Sequence, residues 1–106
     1  MKLNRSIAAI VWLAACTIAP AHAQGSGADT FKTRCAMCHG VDGKANTPAG
    51  KAFKAASLRD PMVVNASDDE LVVIVKNGKN KMPSFKDKLT DDQVKAVIAY
   101  IRTLPD

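Results

Sequence analysis

The sequence predicts a small all-α domain, because three segments combine a helix-capping residue with apolar residues at helical spacing. Ser26 caps the first segment, Ser67 opens a capping box before the second, and Thr90 opens another before the third. The third pattern is the clearest, with apolar residues at Val94, Val97, Ile98 and Ile101. The run at residues 72–75 alone also fits a strand, but the caps and the length of its segment favour a helix.

The composition is that of an ordinary soluble domain. The chain has 106 residues, of which 47% are hydrophobic and 24% charged, and its formal net charge is +5. These values exclude collagen-like, low-complexity and polytopic membrane proteins, and the length predicts one domain. Between the capped segments, residues 40–50 predict a loop and residues 51–58 a short helix.

The N-terminal segment predicts a signal peptide at residues 1–23, followed by a single domain at residues 24–106. Two basic residues precede an uncharged stretch at 7–19, and its 13 residues are too few for a membrane-spanning helix, which takes about 20. A small-x-small cleavage site ends at Ala23. The prediction is therefore export to the periplasm, with no transmembrane span in the mature form.

Two alternatives to a cleaved signal peptide stay open. The apolar stretch also fits a retained anchor or a buried helix. In addition, residues 13–16 resemble a bacterial lipoprotein box, in which Cys16 would be the acylated residue. We favour release over lipid anchoring through Cys16, because the segment stays apolar after this residue and leads into the cleavage site.

Removal of residues 1–23 lowers the charge from +5 to +3 and leaves one chemically distinctive motif, Cys35-x-x-Cys38-His39. This is the pattern of covalent haem attachment. Two thiols on one helical turn can each add to one vinyl group of the same haem, while the adjacent imidazole reaches the iron. A dithiol redox pair would not require the adjacent histidine. A closed zinc site needs four ligands, whereas residues 24–106 contain two cysteines and one histidine. A local disulfide is the remaining alternative. The motif therefore predicts one covalently bound haem c.

A methionine is the candidate for the second axial position, because His39 is the one histidine left after removal of the signal peptide. Met37 lies inside the attachment turn and cannot cross to the other haem face. Met82 precedes Pro83, which favours an extended backbone, and it follows a polar, turn-rich run. Met82 is therefore preferred as the ligand, and Met62 stays open as the alternative.

These residues make the chain similar to the small class I c-type cytochromes, closest to the short bacterial c6-like and c5-like monohaem carriers. The resemblance covers nearly all of residues 25–105. Four features carry it. They are the attachment motif at Cys35 to His39, an N-terminal helix with Gly27 and Phe31, a C-terminal helix with Val97 to Tyr100, and a methionine loop at Gly78 to Phe85. It implies the class I cytochrome c fold, in which helices wrap around one covalently bound haem.

The resemblance also implies a role for each site residue. Cys35 and Cys38 would form the thioether bonds, and His39 and Met82 would be the axial ligands of the iron. The family further implies a proline carbonyl that accepts the outer N–H of the ligand imidazole, and Pro48 is the candidate here.

An iron ligated on both faces has no open site for a substrate, so we expect a one-electron carrier and no catalytic residues. Its partners would be periplasmic or membrane redox proteins. One alternative is a haem-bearing subunit of a periplasmic dehydrogenase or terminal oxidase. The other is a gas-binding or sensor haem, which requires that Met82 does not ligate the iron.

Five lysines near Met82 predict how a redox partner would dock. They form either a basic docking patch for transient acidic partners or an ordinary solvated loop, and they are Lys76, Lys79, Lys81, Lys86 and Lys88. Nucleic acid is not expected as a partner, because the basic excess is small and export separates the protein from it. We expect a monomer.

Overall fold

The computed structural model describes residues 13–15 and 26–106. The predicted cleavage site and Cys16 lie outside the described residues, as does most of the predicted signal peptide. The described residues form six helices and no strand, which confirms the all-α prediction. The helices are α1 (Gly27–Arg34), α2 (Ala36–His39), α3 (Pro48–Ala52), α4 (Pro61–Val64), α5 (Asp68–Asn77) and α6 (Asp91–Ile101).

The three predicted helix starts are confirmed at their capping residues. The Ser26 hydroxyl accepts a hydrogen bond from a backbone N–H in the first turn of α1. Ser67 before α5 and Thr90 before α6 each form a reciprocal capping box with the residue three positions later. The caps satisfy N–H groups that would otherwise lack a partner at the helix ends, so they fix where each helix begins.

The crossing of α1 and α6 forms the centre of the core. Phe31 is fully buried there, and its ring lies 5.4 Å from the ring of Tyr100 with a tilt of 52°. The helices approach closely at Gly27, where a Cβ atom would lie 2.1 Å from the carbonyl oxygen of Ala96. Three aliphatic side chains of α6 are also completely buried, and they are Val94, Val97 and Ile98. Burial of each such side chain contributes about 1.5–3 kcal/mol.

Helix α5 packs against α6 and leads into the loop that carries Met82. It buries Leu71 and Val75. Phe85 and Leu89, which follow the loop, are buried in the same hydrophobic core. None of the helices in the described part of the chain has the length and apolar character needed to cross a bilayer. The helical core is thus a frame that holds the attachment turn and the methionine loop at separate places.

Helix α3 begins and ends earlier than the short helix predicted at residues 51–58. Thr47 is its N-cap, with the hydroxyl accepting from a backbone N–H, and Pro48 occupies the first turn, where a missing N–H costs nothing. The helix ends before Lys54, whose backbone turns to a φ of 56°. The prediction is therefore wrong by three residues at the start and by six at the end, because it overlooks the capping signal of Thr47 before Pro48.

Candidate haem-binding site

The attachment motif forms a single tight helical turn. Cys35 ends α1, donating its N–H to the carbonyl of Phe31 at 2.9 Å, and its own carbonyl then accepts from Cys38 and His39 at 3.2 and 3.0 Å. Both cysteines are free thiols and half-buried. Burial raises the pKa of the Cys35 thiol to about 11, so this thiol is neutral at pH 7. The turn ends at Gly40, whose φ is 76°.

A threonine and a glycine hold this turn against α3. The Thr47 hydroxyl donates to the carbonyls of Met37 and Cys38 at 2.6 and 3.1 Å and accepts from the N–H of Gly50 at 2.9 Å. At Gly50 a Cβ atom would lie 2.2 Å from the Cys38 carbonyl oxygen, so α3 can approach α2 this closely only because the residue is glycine. The attachment turn is thereby fixed by hydrogen bonds and by close backbone packing.

The His39 ring is oriented by a backbone carbonyl. Its Nδ1 atom lies 2.9 Å from the carbonyl oxygen of Ala56. Because a carbonyl can only accept, Nδ1 carries a proton, and Nε2 is the ring nitrogen left to bind a metal ion. A carbonyl behind a ligating imidazole also increases the basicity of the ring.

The sequence prediction for this carbonyl, Pro48, is corrected by the structure. Pro48 is the first residue of α3, and carbonyl groups in a helix point along its axis. The chain instead returns toward His39 after α3, where the N–H of Ala55 donates to Gly50 and the N–H of Leu58 donates to Gly43, at 2.8 and 2.7 Å. These bonds bring the Ala56 carbonyl to the imidazole.

Met82 lies in a short, well-fixed turn. Lys79 and Met82 exchange two backbone hydrogen bonds of 3.1 and 2.9 Å, with Asn80 between them at a φ of 54°. After the turn, the Ser84 hydroxyl donates to the carbonyl of Lys76 at 2.5 Å and ties the segment to the end of α5. Gly78 before the turn has a φ of 77°, and a Cβ atom there would lie 2.6 Å from the Met82 carbonyl oxygen. The turn therefore requires a glycine at its start.

The three candidate methionines differ in their surroundings. Met82 is half-buried and packs against the hydrophobic core, whereas Met37 and Met62 are each 76% exposed. A methionine side chain that is already held by the core and by a turn loses less conformational entropy when it coordinates a metal ion. The structure thus places Met82 in a held, half-buried position and Met62 in an exposed one.

The five lysines do not share one environment. Lys76 is half-buried, and its Nζ lies 2.8 Å from Oδ1 of Asp91, whose pKa this hydrogen bond and the lysine charge lower. Lys88 lies over the ring of Phe85, at 5.7 Å from the centroid. Lys88 is nevertheless exposed, as are the remaining lysines on and after the methionine turn, which are Lys79, Lys81 and Lys86. Four of the five lysines are therefore exposed, whereas Lys76 is paired with Asp91.

Comparisons with known proteins identify the family. Residues 22–101 match a family model described as cytochrome c oxidase, cbb3-type, subunit III. Over 76 residues, or 72% of this chain, the sequence is 39% identical to cytochrome c6 of Nostoc sp. strain PCC 7120 and 38% identical to cytochrome c6 of Parathermosynechococcus lividus. These matches span 66% and 84% of the two relatives.

Solved structures agree with the sequence relatives. A c-type cytochrome titled KustC0563 superposes with a TM-score of 0.70 at 30% identity, covering 77% of this chain and all of that one. Cytochrome c6C from Synechococcus sp. PCC 7002 superposes with a TM-score of 0.57 at 27% identity, covering 74% and 92% of the two chains. The chain belongs to the c-type cytochromes, and within them to the small class I group that is similar to cytochrome c6.

The cofactor follows from the family and from the donor set. A c-type cytochrome carries covalently bound haem, and the single C-x-x-C-H motif of this chain accounts for one haem c. The residues fit this group: two free thiols lie on one turn beside an imidazole whose Nδ1 is already occupied, and a half-buried thioether lies in a separate turn.

Removal of the Thr47 hydroxyl tests how the attachment turn is held. Thr47→Val keeps the shape but leaves the carbonyls of Met37 and Cys38 and the N–H of Gly50 without their partner. We expect the free energy of unfolding of the haem-loaded protein to fall by about 1–2 kcal/mol in urea titrations. Thr47→Ser keeps the hydroxyl and should lose less than half as much. Equal losses in the two variants would contradict the role of these hydrogen bonds.

Proposed function

We propose that this protein is a diffusible one-electron carrier whose iron is held by Nε2 of His39 and the thioether of Met82, with Cys35 and Cys38 forming the covalent links. The observation that carries the proposal is the 2.9 Å contact between Nδ1 of His39, the last residue of the attachment motif, and the carbonyl oxygen of Ala56 in the segment after α3. It supports a His39 ring that donates from Nδ1 to the protein and is held in one orientation, so that Nε2 is the nitrogen that can bind iron.

The residues of the chain perform two tasks in this function. Haem supplies an iron that gains and loses a single electron. The Ala56 carbonyl keeps the His39 ring in one orientation, and the turn at Lys79 and Met82 limits movement of the thioether. Rigid ligands suit electron transfer, because little rearrangement accompanies each change of oxidation state. A methionine ligand also raises the reduction potential, since soft sulfur favours ferrous iron.

Replacement of Met82 tests the axial ligand and, with it, the gas-binding alternative. Met82→Ala should remove the weak far-red sulfur-to-iron absorption band of the oxidised protein, and the reduced protein should bind carbon monoxide at neutral pH. The reduction potential should fall by on the order of 0.1 V, within the roughly 0.8 V range that axial ligands set.

Met62→Ala is the matched control, because Met62 is 76% exposed. It should keep the far-red band and exclude carbon monoxide. If the unmodified protein lacks the band and binds carbon monoxide at once, the carrier proposal fails and a gas-binding haem replaces it.

We propose that residues 1–23 are a signal peptide, that residues 24–106 form the cytochrome domain, and that the protein acts in the periplasm. Support comes from the uncharged stretch and the cleavage motif in the sequence. N-terminal sequencing of the protein from a host that matures c-type haem should begin at Gln24. A product that begins at Cys16 and carries acyl chains would establish the lipid-anchored alternative instead.

The exposed lysines of the methionine turn support transient docking of an acidic redox partner to a monomer. Lys79, Lys81 and Lys86 lie close in sequence to the proposed ligand, and each is exposed. Charges arranged in this way increase the rate of encounter more than the final affinity.

Neutralisation of two exposed lysines tests the docking surface. Lys79→Gln with Lys81→Gln should slow reduction by an acidic redox protein several-fold at low salt, which is less than the roughly 10- to 1,000-fold effect of a complete steering field, and should flatten the dependence of the rate on ionic strength. Lys76→Gln is the control, because Lys76 is paired with Asp91. Reduction by a neutral quinol should not change, and an unaltered salt dependence in the double variant would exclude the surface.

A haem-bearing enzyme subunit is the second candidate function. The matching family model is described as a subunit of a cytochrome oxidase. Three apolar side chains that could contact another subunit are more than half exposed, and they are Met37, Val41 and Phe53. Stable copurification with a membrane oxidase or a periplasmic dehydrogenase would favour the subunit over the free carrier.

A further inference from the structure

The segment that presents the Ala56 carbonyl is tied to the end of α6 by an arginine. Arg59, three residues after Ala56, donates from Nη1 to the carbonyl of Leu104 and from Nη2 to the carbonyl of Ile101, both at 2.6 Å. The last carbonyls of a helix lack partners within the helix and carry a partial negative charge, so a guanidinium group is well suited to them.

This attachment depends almost wholly on the two terminal nitrogens of the guanidinium. The Arg59 side chain is 18% exposed, and Nε is buried without a hydrogen-bond partner among the described residues. Asp106 is 3.9 Å from Nη1, but it is fully exposed, so this pair contributes little. The planar fork of arginine reaches both carbonyls at once, which the single ammonium of a lysine does not reproduce.

The arginine completes the fixation of the segment behind His39. At the start of this segment the N–H of Ala55 donates to the carbonyl of Gly50. In its middle the N–H of Leu58 donates to the carbonyl of Gly43. Leu58 itself is buried, and Gly43 packs so closely that a Cβ atom there would lie 2.9 Å from Leu104 Cδ1. The downstream part has the Arg59 side chain as its connection to α6.

We propose that Arg59 is a positioning residue for the axial histidine. Its fork to the end of α6 holds the Ala56 carbonyl against His39 Nδ1, and thereby sets how strongly the imidazole donates to the iron. The inference rests on the proposed function, because it requires His39 to be an iron ligand. A looser carbonyl weakens the Nδ1–H hydrogen bond, makes the ring a poorer donor and raises the reduction potential.

Arg102 provides a control with the same chemistry at the same helix end. It follows α6 and donates to the carbonyls of Val63, Val64 and Ala66 and to the carboxylate of Asp68, at 2.6–3.2 Å. It therefore ties α4 and the start of α5 to α6, and none of these bonds reaches the segment that contains Ala56.

The experiment compares the haem-loaded variants Arg59→Met, Arg59→Lys and Arg102→Met with the unmodified protein. Proton NMR of the reduced, diamagnetic state measures solvent exchange of the His39 Nδ1–H, and a redox titration measures the potential. Arg59→Met should accelerate the exchange at least tenfold and raise the potential, with Arg59→Lys in between. Arg102→Met should lower the melting temperature but leave both values unchanged.

Two outcomes would overturn the inference. One is an Arg59→Met or Arg59→Lys protein with unchanged exchange and potential. The other is an equal change in Arg102→Met, which would mean that both arginines act through general stability. Failure of the proposed function is recognised separately. His39 ring protons shifted upfield by the haem ring current report ligation in the unmodified protein, and their absence would mean that His39 is not a ligand. If Arg59→Met does not accumulate, Arg59→Lys decides the question alone.

Discussion

The hydrogen bond between His39 and the Ala56 carbonyl is the interaction on which the rest of the site depends. It places the proton of the ring on Nδ1 and leaves Nε2 as the nitrogen that can bind iron, and its acceptor is a backbone carbonyl. Much of the surrounding structure keeps those two atoms together. Thr47 and Gly50 hold the attachment turn on one side, and the bonds of Leu58 and Arg59 hold the carbonyl segment on the other.

The packing of the helices explains how so small a chain can hold the two proposed ligands in place. The crossing at Gly27 and Phe31 joins α1 to α6, and α1 continues directly into the attachment turn at Cys35. Met82, the other proposed ligand, lies in a turn that starts from the end of α5, which packs on the same α6. Helix α6 therefore supports the elements that carry both proposed ligands, and the side chains of Arg59 and Arg102 connect its end to the neighbouring loops.

How far the sequence predicts this structure depends on the kind of interaction. Side-chain capping at Ser26, Ser67 and Thr90 is local, so those helix starts were predictable, and the attachment motif is local as well. Helices α3 and α4 also begin with a local signal, a capping residue followed by proline, at Thr47-Pro48 and Asp60-Pro61. The sequence prediction does not include these two helix starts. The partner of His39 was predicted wrongly for a different reason. It is a backbone carbonyl, which every residue possesses, so only the path of the chain between Gly50 and Leu58 could identify it.

The central claim is that haem is bound covalently through both cysteines of this turn, and peptide mass spectrometry tests it most directly. The matured protein is denatured, extracted with acid and organic solvent to remove unattached haem, and digested. The account predicts one peptide spanning Cys35 to His39 that retains the mass of a single haem, with fragmentation placing it on both sulfur atoms. A colourless peptide with two unmodified thiols, or with a disulfide between them, would contradict the account.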